Sequence, residues 1–312
     1  MKNRLIMITR KIIRNYVELY PMKRVILYYK YIKIENPKAF LKSQKKLCLR
    51  LNLKGRIIIS WEGLNGTLSG SKSSVEAYKK ALLEDIRFSD IVFKESDVSG
   101  DIFPKLSIKI RDEIVTLKEK IDIVSKESKK GKYISPGDFH NIVVNKDHDT
   151  VILDARNNYE SLIGRFRGAV TPDIDNFRDL PKYLKNLRKY KNKKVVMYCT
   201  GGVRCEKASA LLLQNGFKDV YQLKDGILNY AKYHPEDFEG KCYVFDKRIA
   251  VLLDKDNVKI ISRCKHCGTT SDIYINCANK KCNMQFISCK SCIEEFNRTC
   301  SMDCKSFINI SA

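Results

Sequence analysis

The string Tyr198-Cys199-Thr200-Gly201-Gly202-Val203-Arg204-Cys205 puts a thiol on a glycine loop between an apolar run and a helical one. In such a loop the backbone N–H groups of Thr200, Gly201, Gly202 and Val203, with the helix N-terminus behind them, converge on the Cys199 sulfur. There they favour a thiolate and any negative group attached to it. Gly201 and Gly202 allow backbone angles that a side chain would disfavour, and Arg204 closes the loop with a second source of positive charge. Four residues separate Cys199 from Arg204. A loop with five intervening residues wraps a tetrahedral phosphate; this smaller cradle suits a persulfide better. Cys199 therefore reads as nucleophile or sulfur carrier, against the plain alternative of a structural Cys beside a tight turn. Cys205 is either a resolving thiol for Cys199 or a packed first-turn residue.

Eight more cysteines form four pairs at metal-knuckle spacing: Cys264-x2-Cys267, Cys277-x4-Cys282, Cys289-x2-Cys292 and Cys300-x3-Cys304. Four thiolates complete a tetrahedral zinc site with no open position, so eight predict two structural zinc ions. Large apolar residues are few there, and metal binding would supply most of the folding free energy. Sequential and cross-braced pairings both fit the spacing. Disulfides and an iron–sulfur cluster are the competing uses. His266 reads as a bystander, and Cys48 and Cys242 as core.

These residues need elements to hold them. From residue 24 the pattern is strand (25–34), helix (37–53, with Asn36 as N-cap and Pro37 at its first position), strand (56–60), then an Asn-Gly turn within Trp61-Glu62-Gly63-Leu64-Asn65-Gly66-Thr67 leading to a short strand ending near Gly70. A helix over 73–83 and a strand over 106–110 complete a ferredoxin/acylphosphatase-like α+β domain, placed at 23–122 after a basic extension, 1–22. A Lys-rich linker spans 123–133. Strands at 150–153, 194–198 and 220–223 alternate with helices, the first of them at 205–215 and another opened by Asp225-Gly226. That is a parallel sheet with helices on both faces, at 134–240. Chemistry in open sheets of this kind sits beyond the carboxyl ends of the strands, where Cys199 falls. Arg156 follows another strand end and is a candidate for a substrate phosphate or a surface salt bridge; Asp154 ties down nearby backbone. The Cys-rich domain takes 241–312.

The 59 Lys and Arg against 36 Asp and Glu in 312 residues give a formal charge of +23. That excess points to a polyanionic partner, with affinity that falls steeply with salt. Basic residues concentrate at Lys182, Lys185, Arg188, Lys189, Lys191, Lys193 and Lys194, interleaved with Tyr183 and Tyr190; the alternative is a solvated Lys-rich face. A hydrophobic share of 44% excludes disorder of the whole chain. No apolar run approaches the ~18–20 residues that cross a bilayer. The charged N-terminus does not read as an export signal, and twelve Cys without one indicate thiols used in a reducing compartment, the cytoplasm. No Gly-rich dinucleotide fingerprint follows a strand, so no tightly held NAD or FAD is expected.

The 199–204 loop resembles the active loop of rhodanese domains, with Asp154-Ala155-Arg156, Glu160 and Gly168-Ala169 similar to the segment before it. The longer string from Cys199 through Glu206-Lys207-Ala208-Ser209-Ala210 resembles a narrower group, the rhodanese-related tRNA uridine hydroxylases of the TrhO type. Four further stretches match that pattern: Glu62-Gly63-Leu64-Asn65-Gly66-Thr67, Gly164-Arg165-Phe166-Arg167-Gly168-Ala169, Pro172-Asp173-Ile174-Asp175-Asn176-Phe177-Arg178 and Lys241-Cys242-Tyr243-Val244-Phe245-Asp246-Lys247-Arg248. The resemblance spans 25–304, with Val203 where Ile is expected. It implies oxygen-dependent 5-hydroxylation of the wobble uridine in tRNA, with molecular oxygen as co-substrate and Cys199 as a persulfide-capable catalytic residue; the electron or sulfur donor is left open. Arg156, Arg165, Arg167, Lys207 and Asn65 are then candidate substrate contacts, the wobble base being splayed from the anticodon loop to react. The competing functions are a sulfurtransferase working through a Cys199 persulfide and a non-catalytic RNA-binding module.

Overall fold

The computed structural model describes residues 22–125, 127–145, 149–256 and 258–310. The basic segment 1–21 lies outside them. Two compact units divide the chain: the first runs to Thr116 and includes Val124 and Ser125, and the second takes 117–123 and the chain from Glu127.

The first unit is β1 (Met22–Tyr31), α1 (Pro37–Arg50), β2 (Lys54–Ser60), β3 (Gly63–Gly70), α2 (Lys72–Leu83), β4 (Lys94–Ser99) and β5 (Leu106–Ile110), in sheet order β4-β1-β3-β2-β5. The three pairings among β4, β1, β3 and β2 are antiparallel, and β5 lies parallel to β2. This is the split βαβ arrangement expected of an acylphosphatase-like domain. Asn36 caps α1, its side chain accepting from Ala39 N at 2.9 Å, and Pro37 occupies the first position where no N–H is needed. Phe40, Gln44 and Cys48, four apart, form the buried stripe of α1.

The tight turn is Trp61-Glu62, not Asn65-Gly66, which sits inside β3 opposite Tyr29 and Tyr28. Gly66 is required there by packing: a Cβ would lie 2.4 Å from the Tyr28 ring. Trp61 is exposed at that turn, and Asn65 is half-buried with its Nδ2 bonded to Ile114 O at 3.2 Å.

The second unit carries the parallel sheet β6-β10-β9-β7, from β6 (Lys132–Ile134), β7 (Thr150–Asp154), β9 (Lys194–Tyr198) and β10 (Asp219–Leu223). Around it run α3 (Pro136–Asn145), α4 (Asn158–Ile163), α5 (Leu180–Leu187), α6 (Val203–Gln214) and α7 (Gly226–Tyr230). Strand β8 (Gly164–Phe166) pairs with β11 (Phe238–Gly240), and β12 (Cys242–Tyr243) with β13 (Ala250–Val251). Phe139, Phe166, Tyr198, Tyr230 and Phe238 interlock edge-to-face in its core. In the tail, β14 (Tyr274–Asn276) and β15 (Gln285–Ile287) form a hairpin followed by α8 (Lys290–Glu295) and α9 (Met302–Ile310). No helix among the described residues is long and apolar enough to cross a membrane.

Candidate active site and cysteine clusters

Strand β9 ends at Tyr198, the loop turns through Gly202 at φ 99°, and α6 starts at Val203. The turn brings Gly202 N to 3.1 Å from Cys199 Sγ. The Cys205 thiol and the amides of Arg204 and Cys205 are further groups that favour its charged form. Gly202 is thus one of the donors expected around the sulfur.

Burial pushes the Cys199 thiol up, but the Cys205 hydrogen bond, the Arg204 charge and those amides outweigh it and bring the pKa down to about 5. Burial and the neighbouring Cys199 anion push Cys205 well up, so the shared proton stays on Cys205.

Arg204 does not point outward. Its Nη1 and Nη2 hold Glu160 Oε2 and Oε1 at 2.5 and 2.8 Å, and Nη2 lies 3.5 Å from Thr200 Oγ1. Glu160 is buried on α4, where its carboxylate also accepts from Asn157 N at 3.1 Å. The loop is pinned from its other side by α7: Ile227 N donates to Cys199 O at 3.0 Å and Leu228 N to Thr200 O at 3.1 Å. Gly226 permits that approach, at φ 69° with a missing Cβ that would sit 2.5 Å from Cys199 O. Neither Glu160's pairing nor Gly226's role was read from the sequence; an Asn157-x2-Glu160 capping pattern and the Asp225-Gly226 pair were the available signals.

Three sequence expectations need correction. Cys199 has 0% relative exposure, so the sulfur is covered and not open at the sheet's mouth. Gly202 N nevertheless donates to it at 3.1 Å, and the Arg204 charge favours its anion. Arg156 is also at 0% exposure, bound to Asp154 through Nε and Nη2 at 2.9 and 2.6 Å and to Gly164 O at 2.6 Å. Asp154 accepts from Arg156 N and Tyr198 OH as well, so this is a core ion pair out of reach of a substrate phosphate. Lys207, at 2% exposure, is packed on the buried side of α6. Arg165 is half-buried and donates to Ser161 O at 3.1 Å, while Arg167 is 65% exposed in its side chain and pairs with Glu239 at 3.0 Å. Lys182, Lys185, Arg188 and Lys189 lie along α5 and the turn after it; Lys182, Lys185 and Arg188 line, with Lys191, a cavity of about 200 Å³.

The tail cysteines gather as Cys264, Cys267, Cys289, Cys292 and as Cys277, Cys282, Cys300, Cys304, the ligand atoms of each group all within 4.8 Å of one another. First pairs with third and second with fourth: the arrangement is cross-braced. Sγ separations of 3.7 Å for Cys267–Cys289, 3.6 Å for Cys282–Cys300 and 3.8 Å for Cys300–Cys304 fit the edges of a tetrahedron with metal–sulfur bonds of about 2.3 Å. They are far beyond the ~2.05 Å of a disulfide. Each cluster can hold a metal ion with all four positions filled by protein. His266 stacks on Phe296 at 3.8 Å outside both sets, and Cys48 and Cys242 are buried as expected. A separate group, His140, His234, Glu236 and Asp237, was not singled out from the sequence; there Asp237 already accepts from His140 Nδ1 at 2.6 Å and from Tyr230 OH.

Comparison with known proteins follows the same division. Residues 23–114 match the UPF0176 acylphosphatase-like domain, 135–233 the rhodanese-like domain and 239–305 the rhodanase C-terminal domain. The chain is 45% identical over 284 residues to a protein of Cytophaga hutchinsonii, covering 90% of this chain and 89% of that one. It is 45% identical over 286 residues to one of Enterococcus faecalis, with 90% and 89% covered. A Bacillus licheniformis protein is 42% identical over 286 residues, with 90% and 88% covered. Each carries the name tRNA uridine(34) hydroxylase, and with near-complete coverage at this identity the present chain belongs to the tRNA uridine(34) hydroxylase family.

Proposed function

We propose that this chain hydroxylates the wobble uridine of tRNA at carbon 5, taking the oxygen atom from molecular oxygen. The observation that carries the reading is the 45% identity along 90% of the chain to proteins named for that reaction. The site adds a reason in chemistry: a thiolate held at about 5 is a nucleophile and electron source at neutral pH.

Cys199 is the catalytic residue in this reading. Gly202, Arg204 and Cys205 hold its charge, and the Glu160–Arg204 pair fixes the loop. Because the sulfur is covered, a base can reach it only if the segments over it open. Lys182, Lys185, Arg188 and Lys189, with Arg165 and Arg167, supply charge for tRNA phosphates in the cytoplasm, where tRNA is modified; Asn65 contributes from the first unit. Zinc in the two four-cysteine clusters shapes the tail and takes no part in the reaction.

The cradle's size also supports a second reading, sulfur transfer through a Cys199 persulfide. One experiment separates the two. Cells lacking the gene are complemented with wild type or Cys199→Ala, and their tRNA is digested and weighed by mass spectrometry. Hydroxylated wobble uridine restored by wild type alone supports the hydroxylase. Unchanged hydroxylation with loss of thiosulfate:cyanide activity would favour sulfur transfer, and rescue by Cys199→Ala a non-catalytic binding role.

A further inference from the structure

Inserting one atom of molecular oxygen into a C–H bond consumes two electrons, since the second oxygen atom leaves as water. Two thiols give up two electrons when they join as a disulfide. Among the described residues, Cys205 stands in the first turn of α6, directly after the loop that carries Cys199, and its side chain favours the Cys199 anion. Both sulfurs have 0% exposure, and Cys205 N bonds Gly202 O at 3.0 Å, so the same short turn fixes them together. Cys242, also buried, has its sulfur directed to Tyr243 O, and the eight tail thiols are gathered in their clusters.

We infer that Cys199 and Cys205 form a dithiol that supplies both electrons for hydroxylation and finishes each cycle as a disulfide. The inference rests on the hydroxylase reading. Its balance is one thiolate, one thiol, one uridine C5–H, one O2 and one proton giving a disulfide, a C5–OH and a water. The O–O bond breaks, C–O and S–S bonds form, and the three hydrogens, from C5, from Cys205 and from solvent, end on the new hydroxyl and the water. Cys205 is thus a second catalytic residue, and an external dithiol resets the pair by thiol–disulfide exchange. The arrangement suits this step: the anion on Cys199 is the reactive sulfur, and the protonated Cys205 carries a proton to the reduced oxygen.

The test uses the full chain, reduced, separated from small reductants and mixed in air with tRNA from cells lacking the gene. The expected result is a burst that stops at one hydroxylated base per chain, with a Cys199–Cys205 disulfide in equal amount by peptide mapping, and many turnovers once excess dithiol is added. Cys205→Ser, checked for fold by circular dichroism and for tRNA binding, is expected to give no burst. Hydroxylated base formed without thiol loss, a full burst from Cys205→Ser, or thiols oxidised equally fast without tRNA each overturn the dithiol. Wild-type protein that makes no product even with excess dithiol overturns the hydroxylase reading itself.

Discussion

Arg204 and Glu160 grip each other through two N–H···O contacts inside the second unit, one residue from the helix that follows the thiolate loop and the other from α4. Both are nearly without solvent, so removing one charge strands the other. Glu160→Gln is expected to destabilise the protein by about 3–5 kcal/mol, read from the denaturant midpoint, and to lower wobble-uridine hydroxylation in complemented cells. A variant with unchanged stability would show that the pair is dispensable.

The Cys199 anion gives a pH signature. Its ordinary value of 9.0 falls to about 5 in the folded chain, so the thiolate form favours folding. That contribution is complete above pH 9, shrinks as pH falls, and is gone below about 5. The gap in unfolding free energy between wild type and Cys199→Ser should therefore widen as pH rises from 5 towards 9. The ultraviolet thiolate difference between the two proteins should titrate near pH 5. A difference spectrum that appears only near 9 would contradict the cradle.

Gly226 offers a substitution remote in sequence from Cys199 but touching its backbone. Gly226→Ala adds a Cβ 2.5 Å from Cys199 O and 2.8 Å from Gly202 N at a positive φ. A strain of about 1–3 kcal/mol follows, together with displacement of the loop. Activity should fall at least tenfold while the circular dichroism spectrum is retained and the Cys199 titration shifts upward.

Paired substitutions can test the cross-braced tail by zinc content. Wild type should carry two zinc ions per chain. Replacing Cys264 and Cys289 by Ser disables one cluster and should leave one ion, whereas replacing Cys264 and Cys277 damages both. Equal zinc in these two variants would refute the observed grouping.

Charge removal should sort surface from core. Changing Lys182, Lys185, Arg188 and Lys189 to Gln is expected to weaken tRNA binding and flatten its salt dependence, by roughly 0.7–0.9 in the log–log slope per lost phosphate contact. Arg156→Met should cost about 3–5 kcal/mol in stability by stranding Asp154 and leave the affinity of the folded protein unchanged. A larger change in salt dependence from Arg156→Met than from the Lys group would reverse that assignment.

Much of this was legible in the chain because local signals agreed with the fold. Asn36 and Pro37 started α1 as written, the apolar runs at 150–153 and 194–198 became β7 and β9, and the glycine loop delivered an amide to Cys199. The misses have tertiary causes. β4 reads Lys94-Glu95-Ser96-Asp97-Val98-Ser99 and lies at a sheet edge, where one-sided pairing tolerates polar residues. Asn65-Gly66 carries a turn signature, but Tyr28 fills the space beside Gly66 and the pair stays in β3. Arg156 and Lys207 are charged residues in buried positions, and the partner that admits Arg156, Asp154, sits two residues away. Nothing in the identity of a single Arg distinguishes a phosphate ligand from half of such a pair.

The alternation of the tail's ligands has a consequence for how it comes together. An ion held by Cys264, Cys267, Cys289 and Cys292 ties off a chain segment that contains Cys277 and Cys282, so the other ion has a shorter effective loop left to close. Each capture lowers the entropic cost of the next, so the surviving cluster of a variant that has lost the other should keep its ion but hold it less tightly than in the intact tail.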